Sequence, residues 1–137
     1  MTTASIEKIS VLLLAGSCLC ASVMLACNPS QTPLARLQRA SVSYYDGLRW
    51  KQFGQSAQRI PPLLRQRFIE EREEERERFF VVDYDVAQVE LAPSEERARI
   101  IVKFTWYRLP STTLEKTRML QEWQSLDGTW MLLSQEE

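Results

Sequence analysis

The sequence contains no histidine, and its three cysteines and four glycines are few. Without histidine, the chain lacks the side chain that most often serves as a general base near neutral pH and as a metal ligand. Cysteine is confined to the first 27 residues, so no disulfide framework can hold the rest of the chain together. The glycines form no phosphate-binding loop. These absences favour a non-enzymatic domain that has no metal or cofactor and depends on its hydrophobic core.

The charge is small overall but unevenly distributed. The 137 residues suit one domain, and the net charge of −1 argues against a nucleic-acid binder. Residues 31–69 contain seven basic residues and one acidic residue, whereas residues 70–137 contain nine basic and sixteen acidic residues. A basic half near a membrane is attracted to anionic lipid head groups, so a membrane-surface module is one function open to the domain. Pairing of these arginines with the glutamates within the fold is the alternative.

The first 27 residues resemble the leader of a bacterial lipoprotein. Residues 11–25 are apolar or small, as in the hydrophobic region of a secretory signal peptide, and Ala26-Cys27 follows them. In lipoproteins a small residue precedes the cysteine that receives the lipid and becomes the mature N-terminus. The resemblance implies a signal peptide over residues 1–26, lipid attachment at Cys27 and a lipidated tether over residues 27–32.

Two positions depart from this pattern and leave other leaders open. Met24 stands where lipoproteins usually have leucine, and Leu25 is bulky for its position. The alternatives are ordinary cleaved secretion and an uncleaved anchor over residues 9–27, a segment of 19 residues that is just long enough to span a bilayer. We favour a palmitate-type lipid anchor facing the periplasm, because several acyl chains hold a protein firmly. Asn28 differs from the aspartate that acts as a retention signal in enteric bacteria, which favours the outer membrane.

Residues 32–78 predict three helices. Thr32-Pro33 suits a helix start, with threonine as the N-cap and proline in the first turn. Apolar or small residues then recur at three- and four-residue steps in two successive helices, until Pro61-Pro62 ends the second one. The residues on these faces are Leu34, Leu37, Ser41, Tyr44 and Leu48, followed by Trp50, Phe53, Ala57 and Ile60. Leu64 and Phe68 face the core from a third helix, and the charged tract over residues 70–78 is predicted as its solvated end. In a continuous helix, Glu73 would pair with Arg76 and Glu74 with Arg78.

The period then changes to that of strands. Alternation over residues 97–107 predicts a strand, and residues 79–91 predict another with a bulge near Ala87-Gln88. In this strand Val82, Tyr84 and Val86 share one face, which is predicted to be the core side. A third strand is predicted over residues 112–125. Asp127-Gly128 is a strong signal for a tight hairpin to a fourth strand over residues 129–133. The chain is therefore predicted to be an α+β domain, with three N-terminal helices on a curved four-stranded antiparallel meander.

This order of elements resembles the NTF2-like family, which is also called SnoaL-like or cone-shaped. Residues 44–48 (YYDGL) and residues 122–130 (EWQSLDGTW) carry the resemblance, which makes residues 33–137 one NTF2-like domain. The chain lacks room for the family's strand pair between the second and third helices, and a cystatin-like domain is the structural alternative. The resemblance implies a pocket between sheet and helices, in a family of isomerases, dehydratases, ligand binders and interaction modules.

The candidate site residues follow from that resemblance. An isomerase would need a carboxylate base, for which Asp83 and Asp85 are the nearest candidates, but alternation places both on the face opposite Tyr84, toward water. Arg108 could meet an anionic ligand, although a solvated role is favoured. We therefore predict a non-enzymatic domain that binds an unknown protein partner or a small apolar ligand. The possible pocket residues are aromatic: Tyr44, Tyr45, Tyr84, Trp106, Trp123 and Trp130.

Overall fold

Residues 31–137, which the computed structural model describes, form three α-helices followed by four β-strands. Adjacent strands are antiparallel and lie in chain order, so the sheet is a simple meander. The predicted α+β architecture with a four-stranded antiparallel sheet is confirmed. The elements are α1 (Pro33–Arg49), α2 (Phe53–Ala57), a 3-10 turn (Pro62–Leu64), α3 (Arg65–Glu74), β1 (Phe79–Leu91), β2 (Arg97–Arg108), β3 (Glu115–Leu126) and β4 (Thr129–Glu136).

The start of α1 follows the predicted capping chemistry. The Thr32 hydroxyl accepts a hydrogen bond of 3.2 Å from the backbone N–H of Ala35, and proline occupies the first helical position. The face that α1 buries is broader than predicted, because Ala40 and Tyr45 are buried beside the expected residues. Leu34, which was predicted to share this face, is exposed in the first turn.

A close approach at Gly47 joins α2 to α1. A Cβ atom at Gly47 would lie 2.2 Å from the Ser56 Oγ and 2.9 Å from the Ser56 backbone nitrogen. Ser56 is itself fixed, because its hydroxyl donates a hydrogen bond of 2.8 Å to the Tyr44 carbonyl. The prediction that Trp50 begins the buried face of the second helix is wrong: α2 begins at Phe53, and Trp50 is the exposed C-cap residue of α1.

The charged tract is exposed for most of its length, but its ion pairs differ from those expected for a continuous helix. The predicted pair of Glu73 and Arg76 is present at 2.5 Å. Since α3 ends at Glu74, Arg78 pairs with Glu75 at 2.7 Å instead of with Glu74. Pairs this exposed contribute little to stability. The tract is tied to the rest of the fold by other contacts, since the Arg76 guanidinium donates a hydrogen bond of 3.1 Å to the Lys51 carbonyl and Glu75 pairs with Arg108 on β2.

Two irregularities in β1 decide which of its side chains face the core. The predicted bulge is present, since the register with β2 shifts between Val86 and Gln88. A second shift, which the alternation of residues did not predict, lies between Val81 and Asp83. This second shift corrects the predicted placement of Val82 in the core: Val82 is the exposed extra residue, and Val81 packs against the core in its place.

The last hairpin turns at the predicted position. Asp127 and Gly128 both have positive φ angles, 50° and 77°, as a tight primed turn requires. β3 begins at Glu115 rather than near residue 112, and β4 continues to Glu136 rather than ending near Leu133. The longer β4 brings the C-terminal residues under α3, where they contribute to the site described next.

Candidate functional site

A cavity of about 310 Å³ lies between the helices and the sheet, and we call it the sheet cavity. Its volume is at the lower end of the range for small-molecule sites. The three helices cover one side, all four strands contribute to the other, and the C-terminus closes one edge. Its lining residues are Tyr44, Leu48, Phe53, Arg72, Glu75, Phe79, Val81, Phe104, Trp106, Arg108, Thr117, Met119, Gln135 and Glu137.

The walls of the sheet cavity are mostly apolar and well fixed. The Trp106 indole N–H donates a hydrogen bond of 3.0 Å to the Thr117 hydroxyl. The Trp106 ring also packs against Phe79, with 5.2 Å between the ring centroids. These contacts hold the indole in place, and Phe79 and Trp106 together provide a preformed aromatic wall of the cavity.

Two hydrogen-bond donors in this cavity have no acceptor within residues 31–137. The Nε of Arg72 is buried and unpartnered, and Arg72 forms no ion pair with a described residue. The Tyr44 hydroxyl likewise makes no hydrogen bond there. A buried donor without an acceptor, such as the Arg72 Nε, costs about 1–3 kcal/mol, and the Tyr44 hydroxyl offers a second donor that is free of partners within the described chain. The cavity is therefore suited to a group that accepts hydrogen bonds.

The other charged residues of the sheet cavity differ from Arg72 in their ion pairs or in their position. Arg108 forms an ion pair with Glu75, and Glu75 also pairs with Arg78 at 2.7 Å. Arg108 lines the cavity, and its side chain is also exposed to solvent, in agreement with the solvated position that the sequence favoured. Glu137 lies at the rim and forms no ion pair with a described residue. Arg72 is thus the cation of this cavity whose charge no neighbouring carboxylate pairs within the described chain.

The structure brings only some of the predicted pocket residues together. Tyr44 and Trp106 line the sheet cavity. Tyr45 and Trp123 are core residues, since the Tyr45 hydroxyl and the Trp123 indole N–H donate hydrogen bonds of 2.6 Å and 3.2 Å to the buried Gln121 Oε1. Tyr84 and Trp130 also lie outside this cavity.

Tyr84 and the two aspartates lie on β1, away from the sheet cavity. The Tyr84 hydroxyl donates a hydrogen bond of 2.9 Å to the Asp46 carboxylate. The pKa of Tyr84 is raised to about 12, mainly by burial and to a smaller extent by this hydrogen bond. Asp83 and Asp85 are exposed, as alternation predicted, and Asp83 pairs with Arg49 at 3.4 Å. Neither carboxylate lines any of the three cavities described for residues 31–137.

Burial changes the acid–base properties of the two adjacent core tyrosines. Burial raises the pKa of Tyr44 to about 12, and the charge of Arg72 opposes the shift. Burial also raises the pKa of Tyr45, with smaller contributions from Tyr44 and Tyr84. Both tyrosines are therefore neutral donors over the physiological pH range, and neither is prepared to act as a base.

These shifts predict a loss of stability at alkaline pH. In the unfolded chain both tyrosines ionise near pH 10, whereas the folded chain retains their protons to higher pH. The stabilisation is complete below pH 10, and the free energy of unfolding then falls by about 1.4 kcal/mol per pH unit for each tyrosine. Urea unfolding between pH 10 and 12 tests this. The Tyr45→Phe variant should show a shallower decline, and curves that run parallel to wild type would contradict the assignment.

Residues 31–137 contain neither a membrane-spanning helix nor a cluster of metal-ligating side chains. None of its helices combines the length and the apolar character needed to cross a bilayer. No three aspartate or glutamate side chains are gathered there as a metal site. The predicted lipid attachment at Cys27, the signal peptide and the alternative anchor over residues 9–27 all lie outside the described residues.

Three polar residues of this region, Arg72, Thr117 and Gln121, were not predicted from the sequence. Arg72 stands within a run of charges and resembles any solvated helix residue. Thr117 and Gln121 lie on a strand whose apolar alternation is weak, and nothing in the local pattern marks them as partners of tryptophan. Thr117 meets Trp106 because β2 and β3 are neighbours, and Gln121 meets Tyr45 because α1 packs on the sheet. Both contacts join residues that are distant in the sequence or on different elements.

Comparison with known protein families and with curated proteins finds no match. Among solved structures, the chain is similar to a SEC-C motif containing protein from Rhodopseudomonas palustris, with a TM-score of 0.61 and 14% identity over 78% of this chain and 89% of that chain. It is also similar to the intermembrane space region of the chloroplast protein ARC6, with a TM-score of 0.43 and 10% identity over 78% and 92% of the two chains. The first similarity indicates a shared fold alone, and the second is too loose to carry an argument.

Proposed function

We propose that this chain is a non-enzymatic binding protein whose sheet cavity holds a small, largely apolar ligand with an anionic, hydrogen-bond-accepting group. The observation that carries the proposal is the pairing of an apolar cavity with two unpartnered donors, the Arg72 Nε and the Tyr44 hydroxyl. An apolar body would pack against Trp106 and Phe79. A carboxylate or similar group would accept hydrogen bonds from Arg72 and Tyr44.

The positions and ion pairs of the carboxylates favour binding over catalysis. Glu75 is already shared between two arginines, Arg78 and Arg108, which occupy its oxygens. Asp83 and Asp85, the candidates for an isomerase, are exposed on β1 and line none of the described cavities. An enzyme that used these aspartates would have to move them into an apolar site, for which the structure offers no supporting contact.

We further infer that the domain is NTF2-like and that it is anchored in a bacterial envelope through lipid on Cys27. The helix and strand order supports the first inference, together with the aromatic residues on both sides of the Asp127-Gly128 turn. The apolar leader that ends in Ala26-Cys27 supports the second. Lipid labelling of the wild type and of Cys27→Ser in a bacterial host tests the anchor, which requires label on the wild type alone.

Matched acid and alcohol probes test the ligand site. The full chain, kept in a neutral detergent, is titrated with 4-phenylbutyrate and with 4-phenylbutanol by ligand-observed NMR. The Arg72→Gln variant should bind the acid about tenfold more weakly, which corresponds to the loss of one charge-assisted hydrogen bond, and should bind the alcohol as the wild type does. Arg67→Gln, on the same helix but exposed and paired with Glu71, is the matched control.

Three results would contradict the proposal. Equal binding of the acid by wild type and Arg72→Gln would remove the role of Arg72. Unchanged binding of both probes after Met119→Trp, which fills the cavity, would place them elsewhere on the molecule. Failure of the wild type to bind either probe at millimolar concentration would leave the sheet cavity without its proposed ligand class.

A further inference from the structure

A second cavity lies at the opposite end of the helices, and we call it the arginine cleft. It has a volume of about 500 Å³ and forms where the first turns of α1 and the end of α2 meet the hairpin between β3 and β4. It shares no lining residue with the sheet cavity. Its lining residues are Gln31, Arg36, Arg39, Ala40, Arg59, Gly128, Thr129 and Trp130.

The arginine cleft contains three cations and no carboxylate among its lining residues. Arg36 and Arg59 form no ion pair with any residue of 31–137, and the Nε of Arg59 is buried without a hydrogen-bond acceptor. Most other arginines of the fold differ in this respect. Those that pair with a carboxylate are Arg49, Arg67, Arg76, Arg78, Arg99 and Arg108. The cleft therefore holds two guanidinium groups, those of Arg36 and Arg59, whose charge no carboxylate of residues 31–137 pairs.

The walls of the cleft are held by the core. The Arg59 carbonyl accepts a hydrogen bond of 2.7 Å from the backbone N–H of Leu132, which ties the end of α2 to β4. Trp130 is buried next to it. A Cβ atom at Gly128 would lie 3.5 Å from the Arg36 Nη1, so the guanidinium rests against the hairpin turn. Because the Arg59 backbone and Trp130 are fixed, this wall of the cleft loses little conformational entropy on binding.

We propose that the arginine cleft binds the phosphate group of an anionic phospholipid. Guanidinium groups present several N–H donors in a plane that matches phosphate oxygens, and the buried Arg59 Nε would gain the acceptor it lacks. The cleft also lies at the N-terminal end of the described domain, beside the first turns of α1. Gln31 is part of its wall and follows Cys27, the predicted lipid attachment site, by four positions. The proposal is independent of any ligand in the sheet cavity.

The test uses the Trp130 indole as a local reporter. The full chain is reconstituted in nanodiscs of phosphatidylcholine, with or without phosphatidylglycerol, and the tryptophan indole N–H resonances are recorded, with Trp130→Phe identifying the relevant signal. We expect the Trp130 resonance to shift when phosphatidylglycerol is present and to remain unshifted in phosphatidylcholine alone. The shift should be lost in the variant Arg36→Gln/Arg59→Gln.

A charge-matched control and a free-anion arm make the outcome specific. The Arg97→Gln/Arg118→Gln variant removes the same charge from exposed positions outside the cleft and should retain the shift. Loss of the shift in this control, or its retention in the cleft variant, would overturn the proposal. An equal shift caused by inorganic phosphate in phosphatidylcholine nanodiscs would also overturn it, because the site would then recognise a free anion. Arg36→Gln alone, which alters an exposed side chain, should weaken the shift if the double variant does not fold.

Discussion

Replacing Gln121 by leucine is expected to lower the free energy of unfolding by about 4 kcal/mol, because two buried donors would lose their common acceptor. Gln121 is fully buried, and its Oε1 accepts hydrogen bonds from the Tyr45 hydroxyl at 2.6 Å and from the Trp123 indole at 3.2 Å. Leucine has a similar volume, so the loss would come from the unsatisfied O–H and N–H groups and not from a void. Urea unfolding monitored by tryptophan fluorescence measures the change.

A double-mutant cycle separates this network from simple packing. Tyr45→Phe removes one donor, so combining it with Gln121→Leu leaves only the Trp123 indole unsatisfied. We expect the combined loss to be smaller than the sum of the single losses by more than about 1 kcal/mol, as residues in one hydrogen-bond network are coupled. Strict additivity, or a loss below about 1 kcal/mol for Gln121→Leu alone, would contradict the proposed network.

Replacing Gly47 by alanine is expected to destabilise the fold by about 2 kcal/mol, although alanine favours helix more than glycine does by about 1 kcal/mol. The new methyl group would meet the Ser56 Oγ at 2.2 Å and two backbone atoms at 2.9 Å and 3.0 Å. Because Ser56 is hydrogen-bonded to the Tyr44 carbonyl, relief requires α2 to move away from α1. Thermal unfolding measures the change.

Gly54 supplies the matched control. It lies in α2, and a Cβ atom there would meet no atom within 4 Å. Gly54→Ala should therefore leave the free energy of unfolding unchanged or raise it by up to about 1 kcal/mol. If the alanine variants at Gly47 and Gly54 were equally stable, helix propensity alone would account for both positions, and the close approach of the two helices would have no energetic weight.

Much of the fold could be predicted because its signals are local. Thr32-Pro33 and Asp127-Gly128 act through hydrogen bonds and φ angles within a few residues of themselves, so the start of α1 and the last turn occur where expected. β2 could be predicted from its own residues, because alternation does not depend on which strands lie beside it. Val82 was misplaced for the same reason: the second bulge of β1 is set by its pairing with β2, which alternation within one strand does not contain.

The candidate site was harder to predict because a cavity depends on what the elements leave unfilled. The aromatic residues were recognised as a group, yet Tyr45 and Trp123 fill the core, whereas Tyr44 and Trp106 border open space. Their residue types do not distinguish the two outcomes. Arg72 differs from its charged neighbours only in its position on α3, which directs it to the sheet instead of to a carboxylate.

The two bulges of β1 also hinder edge-to-edge pairing between copies of this chain. Within residues 31–137, β1 and β4 each pair on one side only, and an open strand edge can recruit a strand from another copy. The bulges break the straight row of hydrogen-bonding groups along β1, and the exposed carboxylates of Asp83, Asp85 and Glu90 would repel an identical strand. The same features would keep copies apart if the proposed lipid anchor concentrates the chain on a membrane, because they discourage its sheets from joining into fibres.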